Sequence, residues 1–162
     1  MRLSVDGFDF DFLEAVDAFV FDEKDKTKPT YHGLSHAMKA VDIIVELENH
    51  YLFIEVKDFF SPQEYQGKAH FNHLKEVLKY KYRDTFLYRW AEQKLDKPIH
   101  YLCLLTLENA LISRMNKAIR VELPWGKPTG RWERSIVEDC FVLNEERWNT
   151  NFPKWPVKRT SS

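Results

Sequence analysis

This 162-residue chain has little of several things that would each announce a class of protein. Its two cysteines, Cys103 and Cys140, are too few for the disulfide framework of a small secreted domain. Its five scattered glycines exclude collagen-like and glycine-rich linker sequence, and no internal repeat is visible. No apolar run approaches the roughly 20 residues needed to cross a bilayer. Acids interrupt MRLSVDGFDFDFLEAVDAF where a secretory leader would be continuously apolar. Together these features lead us to expect a cytoplasmic protein in a reducing compartment, without a membrane partner. The chain also lacks a large charge of either sign: its net charge is −1, unlike a strongly basic nucleic-acid binder.

What is present is 44% hydrophobic and 30% charged sequence, enough for one domain over residues 1–162 with a sizeable core. The near-zero charge conceals a gradient. Residues 1–60 carry 6 Lys and Arg against 13 Asp and Glu, whereas residues 61–162 carry 18 against 12. An acidic first third therefore precedes a basic remainder.

In residues 9–21, Phe12, Leu13, Val16, Phe19 and Val20 recur at i, i+3, i+4, i+7 spacing, which predicts a first amphipathic helix. A polar loop over 22–30 follows. Residues 39–60 are rich in Val, Ile and Phe around Glu48-Asn49-His50, which predicts two strands and a hairpin. Alternation puts Val41, Ile43, Val45 and Leu47 with Leu52, Ile54 and Val56 on one core-facing side. The other side carries Asp42, Ile44, Glu46, Phe53, Glu55 and Lys57, so Ile44 and Phe53 share the acids' surface and imply a partly covered cleft. A two-residue turn at Glu48-Asn49 sets Asp42 opposite Glu55, and one at Asn49-His50 sets it opposite Lys57. Further on, the spacing predicts one long or two shorter helices over 63–96 after a Ser61-Pro62 start signal. A buried strand over 99–107, a helix at about 109–120, a loop, a strand near 136–143 and a short helix at 145–148 complete the order. That order describes an α/β fold with helices on a mixed β-sheet.

An Asp, a Glu and a Lys on one sheet face have a chemical use. Two carboxylates can hold Mg²⁺ (or Mn²⁺), a hard cation that shares itself between protein oxygens, waters and phosphates. An ammonium one side chain away can orient water and stabilise the extra charge of a phosphoryl transition state. Asp42, a twelve-residue spacer and then Glu55-Val56-Lys57 resembles the PD-(D/E)XK phosphodiesterase superfamily, the restriction-endonuclease-like nucleases. Val41 stands where the motif's name has proline, a position that requires no chemistry. The resemblance implies a three-layer core in which a mixed sheet is flanked by helices. It implies metal ligation by Asp42, Glu55 and the Val56 carbonyl, water activation by Lys57, and hydrolysis of DNA in preference to RNA. Glu14, on the expected first helix, is its candidate for the additional acid that some members place there. Two active sites are needed to cut both strands of a duplex, so a homodimer is compatible with it. The rival reading is a non-catalytic nucleic-acid-binding or protein-interaction module that keeps the same fold.

The basic half offers a phosphate-binding surface. Lys68, Lys75, Lys79 and Arg83 fall on one broad helical face, with Tyr80 and Tyr82 close by for base stacking. The same residues equally describe a solvated lysine face whose aromatics turn into the core. Lys127, Arg131 and Arg134 beside Trp125 and Trp132 form a second basic and aromatic loop with the same two readings. His32 with His36, and His70 with His73, have helical metal-ligand spacing but no accompanying Cys or Glu at a zinc spacing, so they read as polar surface or core-edge residues. Cys103 and Cys140 read as packing.

Overall fold

The alternating segment FDFDF decides how the chain begins. Phe8, Phe10 and Phe12 are buried while Asp9 and Asp11 face outward, a period of two that forms strands in place of the helix expected over 9–21. In the computed structural model, which describes residues 1–161, strand β1 (Arg2–Val5) turns back on β2 (Phe8–Asp11). The turn is Asp6-Gly7, and both residues have positive φ, 49° and 82°, as a two-residue mirror-image turn requires. Leu13 and Val16, read as helix-face residues, lie exposed beyond β2. Strand β3 (Asp17–Val20) then pairs with β4 (Ile43–Glu46).

β4 and β5 (Tyr51–Lys57) form the expected hairpin. Ile43 faces Ile54 and Glu46 faces Tyr51, and Leu47 N–H donates to His50 O at 2.8 Å, so Glu48-Asn49 is the turn. A 3₁₀ turn (Pro62–Gln66) and the 24-residue helix α1 (Lys68–Ala91) lead to β6 (Ile99–Leu105), parallel to β5. Helix α2 (Asn109–Glu122) crosses to β7 (Asp139–Leu143), parallel to β6. Helix α3 (Glu145–Asn151) starts from an Asn144 cap that accepts Arg147 N–H at 3.0 Å, and β8 (Val157–Arg159) ends the chain against β2.

The result is a mixed α/β arrangement. A five-stranded sheet has the order β3-β4-β5-β6-β7, and a small antiparallel sheet has the order β1-β2-β8. One face of the large sheet packs Ile44, Phe53 and Tyr101 against Leu74, Leu78 and Tyr82 of α1 and Ile112, Met115 and Ile119 of α2. The other face packs Ile43, Val45, Leu52 and Ile54 against the small sheet and Trp148 of α3. The hairpin's second side is therefore no half-open cleft along its length, since Ile44 and Phe53 are fully buried under α1. Val41 also departs from simple alternation. β4 begins only at Ile43, and Val41 N–H is taken at 3.0 Å by Thr85 Oγ1 of α1, which draws Val41 into the helix-side core. No helix among the described residues is long and apolar enough to cross a membrane.

Trp148 joins the small sheet to the large one. Its ring meets Phe10 edge-on at 5.6 Å, and its Nε1 donates to Trp155 O at 2.6 Å. Trp148→Ala is expected to cost about 3–5 kcal/mol. Urea unfolding would measure this, and a loss below about 1 kcal/mol would mean that the α3 layer folds independently of the sheet.

Candidate functional site

β4 stops short of β5, and the gap at that end of the sheet is where the polar residues gather. Val56 N–H points into the gap and donates to Asp42 Oδ2 at 2.7 Å. The N–H and C=O of one strand residue lie on the same side, so the Val56 carbonyl also faces the gap. Val41, its partner in the extended register, gives its N–H to Thr85 instead. Glu55, one residue earlier, is 1% exposed. Its Oε2 lies 3.4 Å from both Lys57 Nζ and Lys81 Nζ, while its Oε1 is buried without a hydrogen-bond partner.

Lys81 reaches the site from the inward-facing surface of α1. Its Nζ donates to Ala40 O at 3.0 Å, and its own carbonyl accepts Thr85 Oγ1 at 2.7 Å. Helix and hairpin are thus stitched together at the residues just before Asp42. The cleft has a volume of ≈ 490 Å³. Its walls include Asp6 of the β1–β2 turn and Asp22, Glu23 and Lys24 beyond β3.

Burial, reinforced by the neighbouring charge of Glu55, pushes Asp42 up to about 8. Burial also raises Glu55, although Lys81 and Lys57 oppose that shift. Burial works to lower Lys81, but Glu55, Asp42 and Asp22 outweigh it and hold the ammonium above its ordinary value. The negative charges of Asp42 and Glu55 oppose one another, so without a cation the pair favours holding a proton. Five acids and three lysines line the cleft, an excess of negative charge that attracts cations and repels a bare phosphate.

These residues suit a hard divalent cation on the strength of one observation: Glu55 Oε1 is a buried acceptor with nothing to accept from. No group of three or more His, Cys, Asp and Glu side chains able to hold a metal occurs among the described residues. Of the five acids in the cleft, Asp42 and Glu55 are the two beside the Val56 backbone, the sparse donor set of an ion that keeps several waters.

The structure thus brings Asp42, Glu55, Val56 and Lys57 together. It does not bring Glu14. With no helix over 9–21, Glu14 sits in the turn after β2, exposed, with Lys154 Nζ as its nearest cation at 3.9 Å, and it does not line the cleft. The basic stripe is partly neutralised from within the fold. Glu122 of α2 meets Lys75 at 3.3 Å and Lys79 at 3.1 Å, leaving Lys68 exposed and Arg83 stacked 4.5 Å over Tyr80. Tyr82 is buried and donates to Ile136 O, so only Tyr80 of the two tyrosines is placed for contact.

In the second basic loop, Arg134 donates to Leu95 O and Trp125 lies under Arg120 at 4.8 Å, while Lys127 and Arg131 remain exposed. His32 packs between Phe21 and Tyr88, and Cys103 and Cys140 are free and buried. Sequence spacing missed Lys81, Asp6 and Asp22 as cleft residues. Lys81 carried a signal only in combination, as a lysine three residues after the core position Leu78 and four before Thr85. Comparison with family models, with curated proteins and with solved structures finds no match to this chain.

Proposed function

We propose that the protein is a divalent-metal-dependent nuclease that hydrolyses phosphodiester bonds, of DNA in preference to RNA, with a restriction-endonuclease-like core. One observation carries this reading. The Asp42 and Glu55 carboxylates, with the Val56 carbonyl between their two elements, converge at one end of the sheet beside two lysine ammoniums, and one Glu55 oxygen is left unpartnered. Asp42, Glu55 and the Val56 carbonyl would hold Mg²⁺ or Mn²⁺. Once bound, such an ion supplies Lewis acidity toward a phosphoryl oxygen and acidifies nearby water.

The chain's own groups do the rest. Lys57, at 28% side-chain exposure, faces the cleft and orients the attacking water. Lys81 is a positioning residue that keeps Glu55 ionised and aimed. Attack on phosphorus breaks the bond to the 3′ oxygen and leaves a 5′-phosphate. Lys68 and Arg83, the cations of the stripe that Glu122 does not engage, are the available contacts for backbone phosphates, with Lys75 and Lys79 behind them. Two free, buried cysteines suit a reducing, cytoplasmic setting.

The expected result is cleavage of plasmid and oligonucleotide that needs Mg²⁺ or Mn²⁺, stops with chelator, and is lost in Asp42→Ala, Glu55→Ala and Lys57→Ala. Each variant should retain its far-ultraviolet circular dichroism. Metal-dependent cleavage that survives all three changes would remove the assignment.

A further inference from the structure

Among the described residues, Asp6 is the acid of the cleft left without a partner. Asp42 accepts Val56 N–H, and Glu55 faces the ammoniums of Lys57 and Lys81. Asp22 holds Lys24 Nζ at 2.9 Å and Ser35 Oγ at 3.2 Å, and Glu23 accepts Asp25 N–H at 3.0 Å. The Asp6 carboxylate is exposed, lines the same cleft, and makes neither a hydrogen bond nor an ion pair with the described residues.

The fold nevertheless fixes where that carboxylate stands. Asp6 occupies the tip of the β1–β2 turn, whose Gly7 carbonyl accepts Thr160 N–H at 2.8 Å. The turn abuts the end of β5: a Cβ added to Gly7 would lie 3.9 Å from Asp58 Oδ2, and Arg159 of β8 grips Asp58 at 2.9 and 3.0 Å. The small sheet thus presents Asp6 beside the residues that precede Asp58. The cleft and the cavity next to it share three lining residues, Asp6, Val56 and Lys57. Lys57 pairs with Glu55 at 3.4 Å and not with Asp6, so two opposite charges flank the opening without closing on each other. Asp6 is also near enough for its charge to help push Asp42 up.

A water that attacks phosphorus must give up a proton, and an ammonium such as Lys57 has donors but no acceptor to receive it. Asp42 and Glu55 are the carboxylates that would hold the ion. We propose that Asp6 is the general base of this site, taking the proton of the attacking water as Lys57 orients it. The water oxygen forms its bond to phosphorus, its proton passes to the Asp6 carboxylate, and the bond to the 3′ oxygen breaks. The leaving alkoxide takes a proton from solvent, to which Asp6 later returns its own. The proposal rests on the nuclease reading for its reaction. It gives the small sheet a part in the chemistry, because that sheet carries the base.

Asp-Gly also suits a two-residue mirror-image turn for backbone reasons alone, so the test must keep the turn and change the chemistry. Asn-Gly and Gly-Gly fit the same turn. In the full chain, Asp6→Asn should keep the melting temperature of the wild type and lose about 10²- to 10⁴-fold in cleavage rate at saturating Mn²⁺. Its Mn²⁺ affinity, read by calorimetry, should fall by no more than about fivefold, the reach of one exposed charge. Asp6→Gly leaves room for a small carboxylate. Formate should recover part of its lost rate, against chloride at equal ionic strength, and should do nothing for Asp6→Asn.

Equal cleavage by the wild type and Asp6→Asn would overturn the base and leave the nuclease standing. Full recovery of Asp6→Asn on raising Mn²⁺ would make Asp6 a holder of the ion and overturn its role as proton acceptor. Failure of formate to act on Asp6→Gly would assign the loss to charge in place of proton transfer, with the same consequence. A wild type that binds Mn²⁺ and cleaves no plasmid or oligonucleotide would overturn the nuclease reading and the base together.

Discussion

Asp42→Asn is expected to abolish cleavage and, in metal-free buffer at alkaline pH, to make the protein more stable than the wild type. The amide oxygen can still accept Val56 N–H, so the hydrogen bond that places residue 42 survives. What disappears is a buried charge beside Glu55. In the folded protein the Asp42 carboxyl is raised from 3.8 to about 8, so between those values the folded state binds a proton that the unfolded chain has released. Stability from this group is therefore complete below about pH 4 and is lost as pH rises toward about 8. That interval is worth at most about 6 kcal/mol, and Glu55, raised in the same direction, adds a loss of the same sign.

Urea unfolding with chelator at pH 5, 7 and 9 should show a falling wild-type curve and a flatter variant curve that cross. Millimolar Mg²⁺ should stabilise the wild type at pH 9 and leave Asp42→Asn nearly unmoved, because only the wild type offers both carboxylates. Activity should fall by about 10³-fold or more, the scale on which loss of one electrostatic stabiliser is felt. Parallel pH curves for the two proteins in chelator would show that Asp42 is not held protonated. Equal stabilisation of both by Mg²⁺ would place the ion elsewhere.

Stability and reactivity pull against each other at these residues, and that conflict explains which parts of the molecule were readable from sequence. The hairpin was readable in outline. Alternating Val and Ile with Glu48-Asn49-His50 left two turns open, and the structure forms the one at Glu48-Asn49, whose register brings Asp42 and Glu55 together. The helical segment after Pro62 and the β6 strand followed from spacing and an unbroken apolar run, signals that depend only on local periodicity, whereas the order of elements predicted a mixed sheet and left open which strands run parallel.

The first twenty residues carried two periodicities at once. Phe12, Val16 and Phe19 fit a helix, while Phe8, Phe10 and Phe12 fit a strand. The Asp6-Gly7 turn, a strong local hairpin signal, favours the strand, and burial of the three phenylalanines against Trp148 rewards it. Glu14 was displaced from the candidate site by that one difference. Other features depended on residues far apart in the chain. Glu122 lies more than forty residues from the lysines it neutralises, and β8 closes the small sheet from the opposite end of the sequence. Lys81 was not singled out by spacing, because its orientation depends on how α1 packs on the sheet.

Lys81→Met is expected to lose both stability and activity, and to lose more of the first as pH rises. Lys81 is 17% exposed, so its ammonium has given up much of its water to face Glu55 and the Ala40 carbonyl. Removing it leaves Glu55 with Lys57 as its sole ion pair. Breaking a buried pair from one side typically costs about 3–5 kcal/mol, because the remaining charge is left uncompensated. The loss should be smallest at acid pH, where Glu55, already raised by burial, can take up a proton. At pH 9 it should approach the full amount. Methionine keeps the length and apolar stem of lysine, so the burial of the stem is retained and the charge is what changes. The second change Glu55→Gln should then recover most of the lost stability, since it removes the group left stranded, and the double variant should show a coupling of about 2 kcal/mol or more in a mutant cycle. Simple additivity of the two changes at pH 9 would mean that Lys81 packs beside Glu55 without compensating it. Cleavage separates the roles further. Lys81→Met should raise the metal concentration needed for half-maximal rate, because it weakens an ionised Glu55, and should retain measurable turnover at saturating Mn²⁺, whereas Lys57→Met, which removes the group facing the attacking water, should not be rescued by any metal concentration.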